Sequence, residues 1–156
     1  MSANPLLEVQ GLSVSFADQE VVHGIDFSIA VGERVALVGE SGSGKTVSAL
    51  SLLRLVSNAK MCGLASFEGH DLLSMPESEL RAVRGRDIAM IFQEPMSALN
   101  PLMTVGDQIA EVLMLKTGLA KAQAAQKVID LLAETGIPEP ARRAQAFPHQ
   151  LSGGQR

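Results

Sequence analysis

A short apolar run, Arg34–Gly39 (RVALVG), leads directly into the glycine-rich string Gly39–Thr46 (GESGSGKT). Beyond it, Val47, Leu50, Leu53 and Val56 keep helical spacing, which predicts a helix from Lys45 to about Val56. Few folds accept strand, glycine loop and helix in this order, because the loop must turn sharply and the strand must be buried on both faces. Gly39, Gly42, Gly44, Lys45 and Thr46 satisfy the pattern GxxxxGK[ST], with Glu40, Ser41 and Ser43 filling the loop. Glycines let backbone N–H groups converge on an anion, and the helix that follows adds its positive end. Lys45 supplies charge for the β- and γ-oxygens of a nucleotide, and the Thr46 hydroxyl can ligate Mg²⁺. A serine-glycine turn that merely caps a helix is the plain alternative, but the flanking strand and helix favour phosphate binding.

Around this unit, residues 6–16 and Asp26–Val31 alternate in apolarity and predict strands of an antiparallel, half-exposed sheet, with Asp18–Glu20 as a polar turn. Met61–Phe67 reads as another short strand, and Asp87–Gln93 as a second fully buried one. Ser74–Arg84 reads as a short helix with Ser74 as candidate N-cap and Pro76 near its start. After breakers at Pro95, Asn100 and Pro101, Thr104 with Asp107 marks a capping-box-like helix start, with Val105, Ile109, Val112 and Leu113 on one face. A second helix spans about Lys121–Thr135, stopped by Gly136 and Pro138.

Composition sets outer limits. The chain has 156 residues, 46% apolar and 19% charged, enough for one folded core. A net charge of -4 without a basic run longer than two residues argues against nucleic acid as a direct partner. The lone Cys62 and the unremarkable start indicate a reducing compartment, the cytoplasm. No apolar stretch is long enough for a spanning helix, so any membrane link is expected through a partner.

Leu151–Gln155 (LSGGQ) is a second string of interest. A serine and two glycines ahead of a helix would again make an anion-facing N-terminus, with Ser152 as cap. By itself Ser-Gly-Gly is as well read as a flexible loop. Together, GESGSGKT, Gln93 closing an apolar run, and LSGGQR resemble the Walker A, Q-loop and signature motifs of ATP-binding-cassette (ABC) ATPases. The segments 88–109 (IAMIFQEPMSALNPLMTVGDQI) and 147–156 (FPHQLSGGQR) are most similar to the ATPase subunits of oligopeptide, dipeptide and nickel importers, including the peptide-antibiotic uptake branch. The resemblance covers Leu6–Arg156, and the stretch at 93–101 (QEPMSALNP) is its most discriminating part.

The resemblance implies an α/β P-loop NTPase fold in four parts. These are an antiparallel β subdomain at about 1–33, a partial RecA-like phosphate-loop core at about 34–93, a Q-loop and helical subdomain at about 94–150, and the signature at 151–156. It implies head-to-tail pairing with a second ABC ATPase subunit, each ATP lying between one Walker A and the other signature. Phe16, 29 positions before Lys45, would stack on adenine, and residues 39–46 would hold the phosphates and Mg²⁺. Gln93 would approach Mg²⁺ and the attacking water and would report to transmembrane permease subunits through residues 94–103. Ser152, Gly153 and Gly154 would contact the γ-phosphate bound by the opposite subunit, with Gln155 supporting that loop. An extracellular or periplasmic solute-binding protein would be an indirect partner, and the protein would sit at the cytoplasmic face of the plasma membrane.

Other candidates favour plainer readings. His23, His70 and His149 lie apart from one another and from any ligand-spaced cysteine or carboxylate pair. Met90, Met96, Met103 and Met114 suit packing, and Arg81, Arg84 and Arg86 a solvent face. The resemblance also implies a strand ending in Asp-Glu and a switch histidine beyond the signature, and neither precedes Arg156. The expectation is an incomplete domain, poorly soluble or partly folded alone, which a cooperative thermal transition with monodisperse elution would contradict. Two other readings remain: a catalytically inactive ATP-binding regulatory module, and a non-transport ABC ATPase.

Overall fold

The first two strands form a hairpin whose outer face is polar and whose inner face is apolar. β1 (Leu7–Phe16) and β2 (Gln19–Ile29) run antiparallel around a two-residue turn at Ala17 and Asp18. β3 (Ala59–Phe67) pairs with the other edge of β1, and β4 (His70–Asp71) extends β3, giving the order β2-β1-β3-β4. The structure is a computed structural model that describes residues 5–92 and 98–156.

In β1 the buried positions are Leu7, Val9, Leu12 and Val14, so the alternation slips by one residue at Gly11. The pairing register shifts there against both neighbours. Gly11 adopts φ 57°, and its N–H donates to the Asp26 carboxylate at 2.6 Å. A β-bulge of this kind absorbs one residue and lets the following apolar side chains return to the core face. Such irregularity also hides β2, which starts at Gln19 rather than the expected Asp26 and ends before Val31, itself an exposed turn residue. Gly63 faces the bulge closely: a Cβ there would lie 2.5 Å from the Gly11 carbonyl oxygen.

Helix α1 (Lys45–Leu52) packs on β1 and β2, burying Ser48 and Ser51. It ends four residues before the expected Val56, because Leu53 caps it and Arg54 turns left-handed at φ 49°. Helix α2 (Glu77–Val83) buries Leu80 and Val83. Pro76 rather than Ser74 is its N-cap, since the Ser74 hydroxyl is engaged with Asp71 Oδ2 at 2.6 Å. Leu12, Leu72, Leu80, Val9 and Val14 are the largest fully enclosed apolar side chains of this unit, Met1–Arg84.

The second unit, Gly85–Arg156, is helical. α3 (Val105–Thr117) starts at Thr104, whose hydroxyl accepts from the Asp107 N–H at 3.1 Å and donates to its carboxylate at 2.6 Å. α4 (Lys121–Glu134) follows after Gly118, and α5 (Pro140–Ala144), absent from the sequence expectation, crosses α3. Val128, Leu132 and Ala144 form the core, with Ile109, Ala110, Leu113 and Ile137 against it. A Cβ on Gly106 would lie 2.6 Å from the Ala144 carbonyl oxygen, and the Val105 N–H donates to Ala146 O at 2.9 Å. This close approach rotates the packed stripe toward Gly106 and Ala110, leaving Val112 54% exposed instead of on the core face.

Two expected buried strands are not strands. Residues 34–39 are irregular and exposed throughout, with Val38 84% exposed, and in 87–92 Ile91 is 98% exposed. A parallel core strand needs hydrogen-bonded neighbours and cover on both faces. Among the described residues no strand ladder runs beside either segment. Gln93 and the following Glu94, Pro95, Met96 and Ser97 lie outside the described residues.

Candidate nucleotide site

The glycine string curls over the start of α1. Gly44 is the N-cap, left-handed at φ 85°, and a Cβ there would sit 2.6 Å from the Val21 carbonyl oxygen and 3.3 Å from Val22 Cγ2. Only glycine fits, because both the backbone conformation and the clearance exclude a side chain. Ser48 ties the same turn: its N–H and hydroxyl donate to Gly44 O at 2.8 and 3.0 Å. The Lys45 ammonium closes the loop, donating to Gly39 O at 2.7 Å, Glu40 O at 2.5 Å and Ser43 Oγ at 3.1 Å.

These features suit a polyphosphate. No acidic residue occupies the first turn of α1, so its positive end is uncompensated. Gly39, Glu40, Ser41, Gly42, Ser43 and Thr46 are all exposed, and Lys45 and Gly44 half-buried, so the loop amides and the ammonium are reachable. Thr46 follows Lys45 in the first turn of α1 and is exposed. Phe16 is half-buried at the end of β1, opposite Gln19 and Ala59.

The signature string belongs to the second unit. Ser152, Gly153 and Gly154 are exposed, and Gly153–Gln155 forms a single 3-10 turn rather than a longer helix. The Ser152 hydroxyl does not cap it. Instead the Gln155 carboxamide folds back to accept the Ser152 N–H at 3.2 Å, and the Gln155 N–H donates to Ser152 O at 3.0 Å. Just upstream, Pro148 and Leu151 are buried, Phe147 and His149 stack with ring centroids 5.8 Å apart, and Gln150 Oε1 accepts the Phe147 N–H at 2.8 Å. Of the 94–103 segment, 98–103 is described. The Gln108 side chain straps it, accepting from Asn100 N–H at 2.8 Å and donating to Asn100 O at 2.9 Å and Met103 O at 3.2 Å. Leu102 projects from it, 84% exposed.

Behind α1, Arg54, Glu77 and Asp71 carry roles that the sequence did not announce, and Arg84 departs from its expected place. Arg84, expected on a solvent face, is mostly buried and shares the Glu77 carboxylate with Arg54. Hydrogen bonds from Arg54 and Arg84 hold the Glu77 carboxyl below its ordinary range. Burial works against the charge of Asp71, but hydrogen bonds from Ser74 and the Ala65 and Leu73 N–H groups outweigh it and lower its pKa. Glu77 lies 23 positions from Arg54, and no local pattern announces so distant a pairing. Gln108 is similarly silent, eight positions from the turn it straps.

A glycine loop closed by its own lysine at the head of a helix is the arrangement of the P-loop class of proteins. The chain belongs to the ABC transporter family, whose model matches residues 22–156. It is 49% identical to the peptidoglycan transport ATP-binding protein YejF of Agrobacterium fabrum, over 99% of this chain and 30% of that protein. It is 44% identical to the oligopeptide transport ATP-binding protein OppD of Salmonella typhimurium, over 99% of this chain and 48% of the relative. The chain thus spans half or less of the curated relatives it matches. An ATP-binding cassette solved as a dimer bound to ADP and Pi shares its fold with a TM-score of 0.78, at 22% identity, covering 96% of this chain and 64% of that one. The likeness agrees with an antiparallel sheet, a phosphate loop and a helical unit as parts of one cassette. No helix among the described residues is long and apolar enough to cross a membrane.

Proposed function

We propose that this chain is the nucleotide-recognising part of an importer ATPase that, in its complete form, couples ATP binding and hydrolysis to uptake of peptides or related small solutes. The observation that carries this reading is the Gly39–Thr46 loop, closed by Lys45 and backed by the uncompensated start of α1. The names of the relatives support peptide import. Residues 39–46 hold the β- and γ-phosphates: the loop amides and Lys45 neutralise charge, and Thr46 with Gln93 serves Mg²⁺, which when bound polarises the γ-phosphate. Phe16 stacks on adenine. Ser152, Gly153 and Gly154, steadied by Gln155, read the γ-phosphate held by a second ABC ATPase subunit, and residues 94–103 meet the permease subunits. The solute-binding protein acts at one remove, and the assembly sits at the cytoplasmic face of the membrane. The four-part division at 33, 93 and 150 describes the same assignment.

By this reading the 156 residues bind Mg-ATP and do not turn it over, since the Asp-Glu pair of the family is not among them. Titration of the chain with a fluorescent ATP analogue, alongside a phosphate-release assay, tests it. Saturable Mg²⁺-dependent binding without release supports the proposal; no binding, or binding unaltered in Lys45→Ala, overturns it.

A further inference from the structure

Helix α1 has only eight residues, so a shift in its last turn is carried to the phosphate loop at its first. Its exit is held by an ionic node. Arg54 donates from Nη1 to Met75 O at 2.7 Å and Leu73 O at 3.3 Å, and from Nη2 to Glu77 Oε2 at 2.7 Å. Arg84, which ends α2, donates from Nη1 to Glu77 Oε1 at 2.6 Å and from Nε to Leu53 O at 2.8 Å. The Leu53 carbonyl is among those a helix end leaves without an internal partner, and a cation there complements the negative end of the helix.

Isolated surface ion pairs contribute little, but this node differs from them. One carboxylate is shared by two guanidiniums whose side chains are only 22% and 23% exposed, and each guanidinium also holds backbone carbonyls. Arg54 is left-handed at φ 49°, a conformation that strains a non-glycine residue. A glycine would take that turn without strain; the arginine side chain supplies three hydrogen bonds from two nitrogens instead.

We infer that Arg54, Glu77 and Arg84 are positioning residues for the phosphate loop. The Glu77 carboxylate ties the exit of α1, at Leu53 and Arg54, to α2 and so sets the direction in which Lys45, Thr46 and the first amides of α1 face a nucleotide. The inference rests on the reading of residues 39–46 as an ATP site.

Glu77→Gln in the full chain tests it, because it keeps size and removes charge. Hydrogen exchange at residues 45–52 should quicken about tenfold while β1–β3 keep wild-type protection. Affinity for the Mg²⁺ complex of a fluorescent ATP analogue should fall about three- to tenfold. Arg84→Lys, which keeps charge but loses the Nε donor to Leu53 O, should lie between Glu77→Gln and wild type. Wild-type affinity in Glu77→Gln overturns the inference and leaves the nucleotide reading intact. Uniformly faster exchange across the sheet reveals a merely structural role and overturns it too. A wild-type chain that binds no nucleotide overturns both, and should Glu77→Gln fail to fold, Arg84→Lys decides on the same two readouts.

Discussion

The phosphate loop and the signature string are both built from serine and glycine, yet they are held in different ways. The loop is fixed from three sides: Gly44 sits where a Cβ would strike the Val21 carbonyl, Ser48 binds Gly44 O twice, and the Lys45 ammonium gathers Gly39, Glu40 and Ser43. The signature string is held by bonds that meet at Ser152, whose N–H donates to the Gln155 carboxamide and whose carbonyl accepts from the Gln155 and Arg156 N–H groups, with its serine and glycines in solvent. A loop tied by its own lysine before its ligand arrives loses little freedom on binding, whereas the signature turn is tied only within itself and leaves its serine and glycines open. Under the proposed function the first holds phosphate within one chain and the second completes a site on another.

The contrast can be broken most sharply at Lys45. Lys45→Ala should lower affinity for a fluorescent ATP analogue about a hundredfold, since a charged donor to phosphate is lost; a titration within threefold of wild type would mean the loop does not depend on its lysine. Gly44→Ala should destabilise the first unit by about 2–4 kcal/mol, because the new Cβ collides with Val21 O in a left-handed backbone. Urea unfolding followed by circular dichroism measures that loss. At the signature, Gln155→Ala should cost about 1 kcal/mol or less and leave nucleotide affinity of the chain unchanged; faster exchange confined to the Ser152 amide is the expected signature. A fall in affinity there would erase the distinction between the two strings. Smallest is Ser51→Ala, which removes a buried hydroxyl with no partner among the described residues and should leave the urea midpoint unchanged or raise it slightly.

Acid provides a further probe of the first unit. The Glu77 and Asp71 carboxyls titrate below their ordinary values, so the stability they confer is complete above the unfolded-state pKa and fades as pH falls through the folded one. The gap in urea midpoint between wild type and Glu77→Gln should therefore be widest near neutrality and close in acid. A gap independent of pH would show that the carboxylate charge is not what the arginines hold.

Much of this was legible in the residues themselves. Glycine spacing, a lysine and a following helical period announce a phosphate loop, and Thr104 with Asp107 announces the start of α3, because both are local patterns. What stayed hidden depends on partners distant in sequence. Residues 34–39 have the composition of a buried strand, but composition cannot supply the neighbouring backbone such a strand needs, and they are exposed. Val112 followed the helical period of Val105 and Ile109, yet the glycine at 106 let α5 approach and turned the packed face away. The Glu77 node joins residues 23 and 7 positions apart through side chains alone.

The bulge at Gly11 has a consequence for how this domain tolerates change in length. Because side chains on a strand alternate, one inserted residue inverts the facing of all that follow, and the chain carries such an insertion between Val9 and Leu12. The odd residue makes the two halves of β1 agree on which side is inside. Removing Gly11 would shorten the protein by one small residue and turn Leu12 and Val14 toward water, a change of parity rather than of size. Conservative trimming elsewhere, at the hairpin tip for instance, leaves that parity untouched.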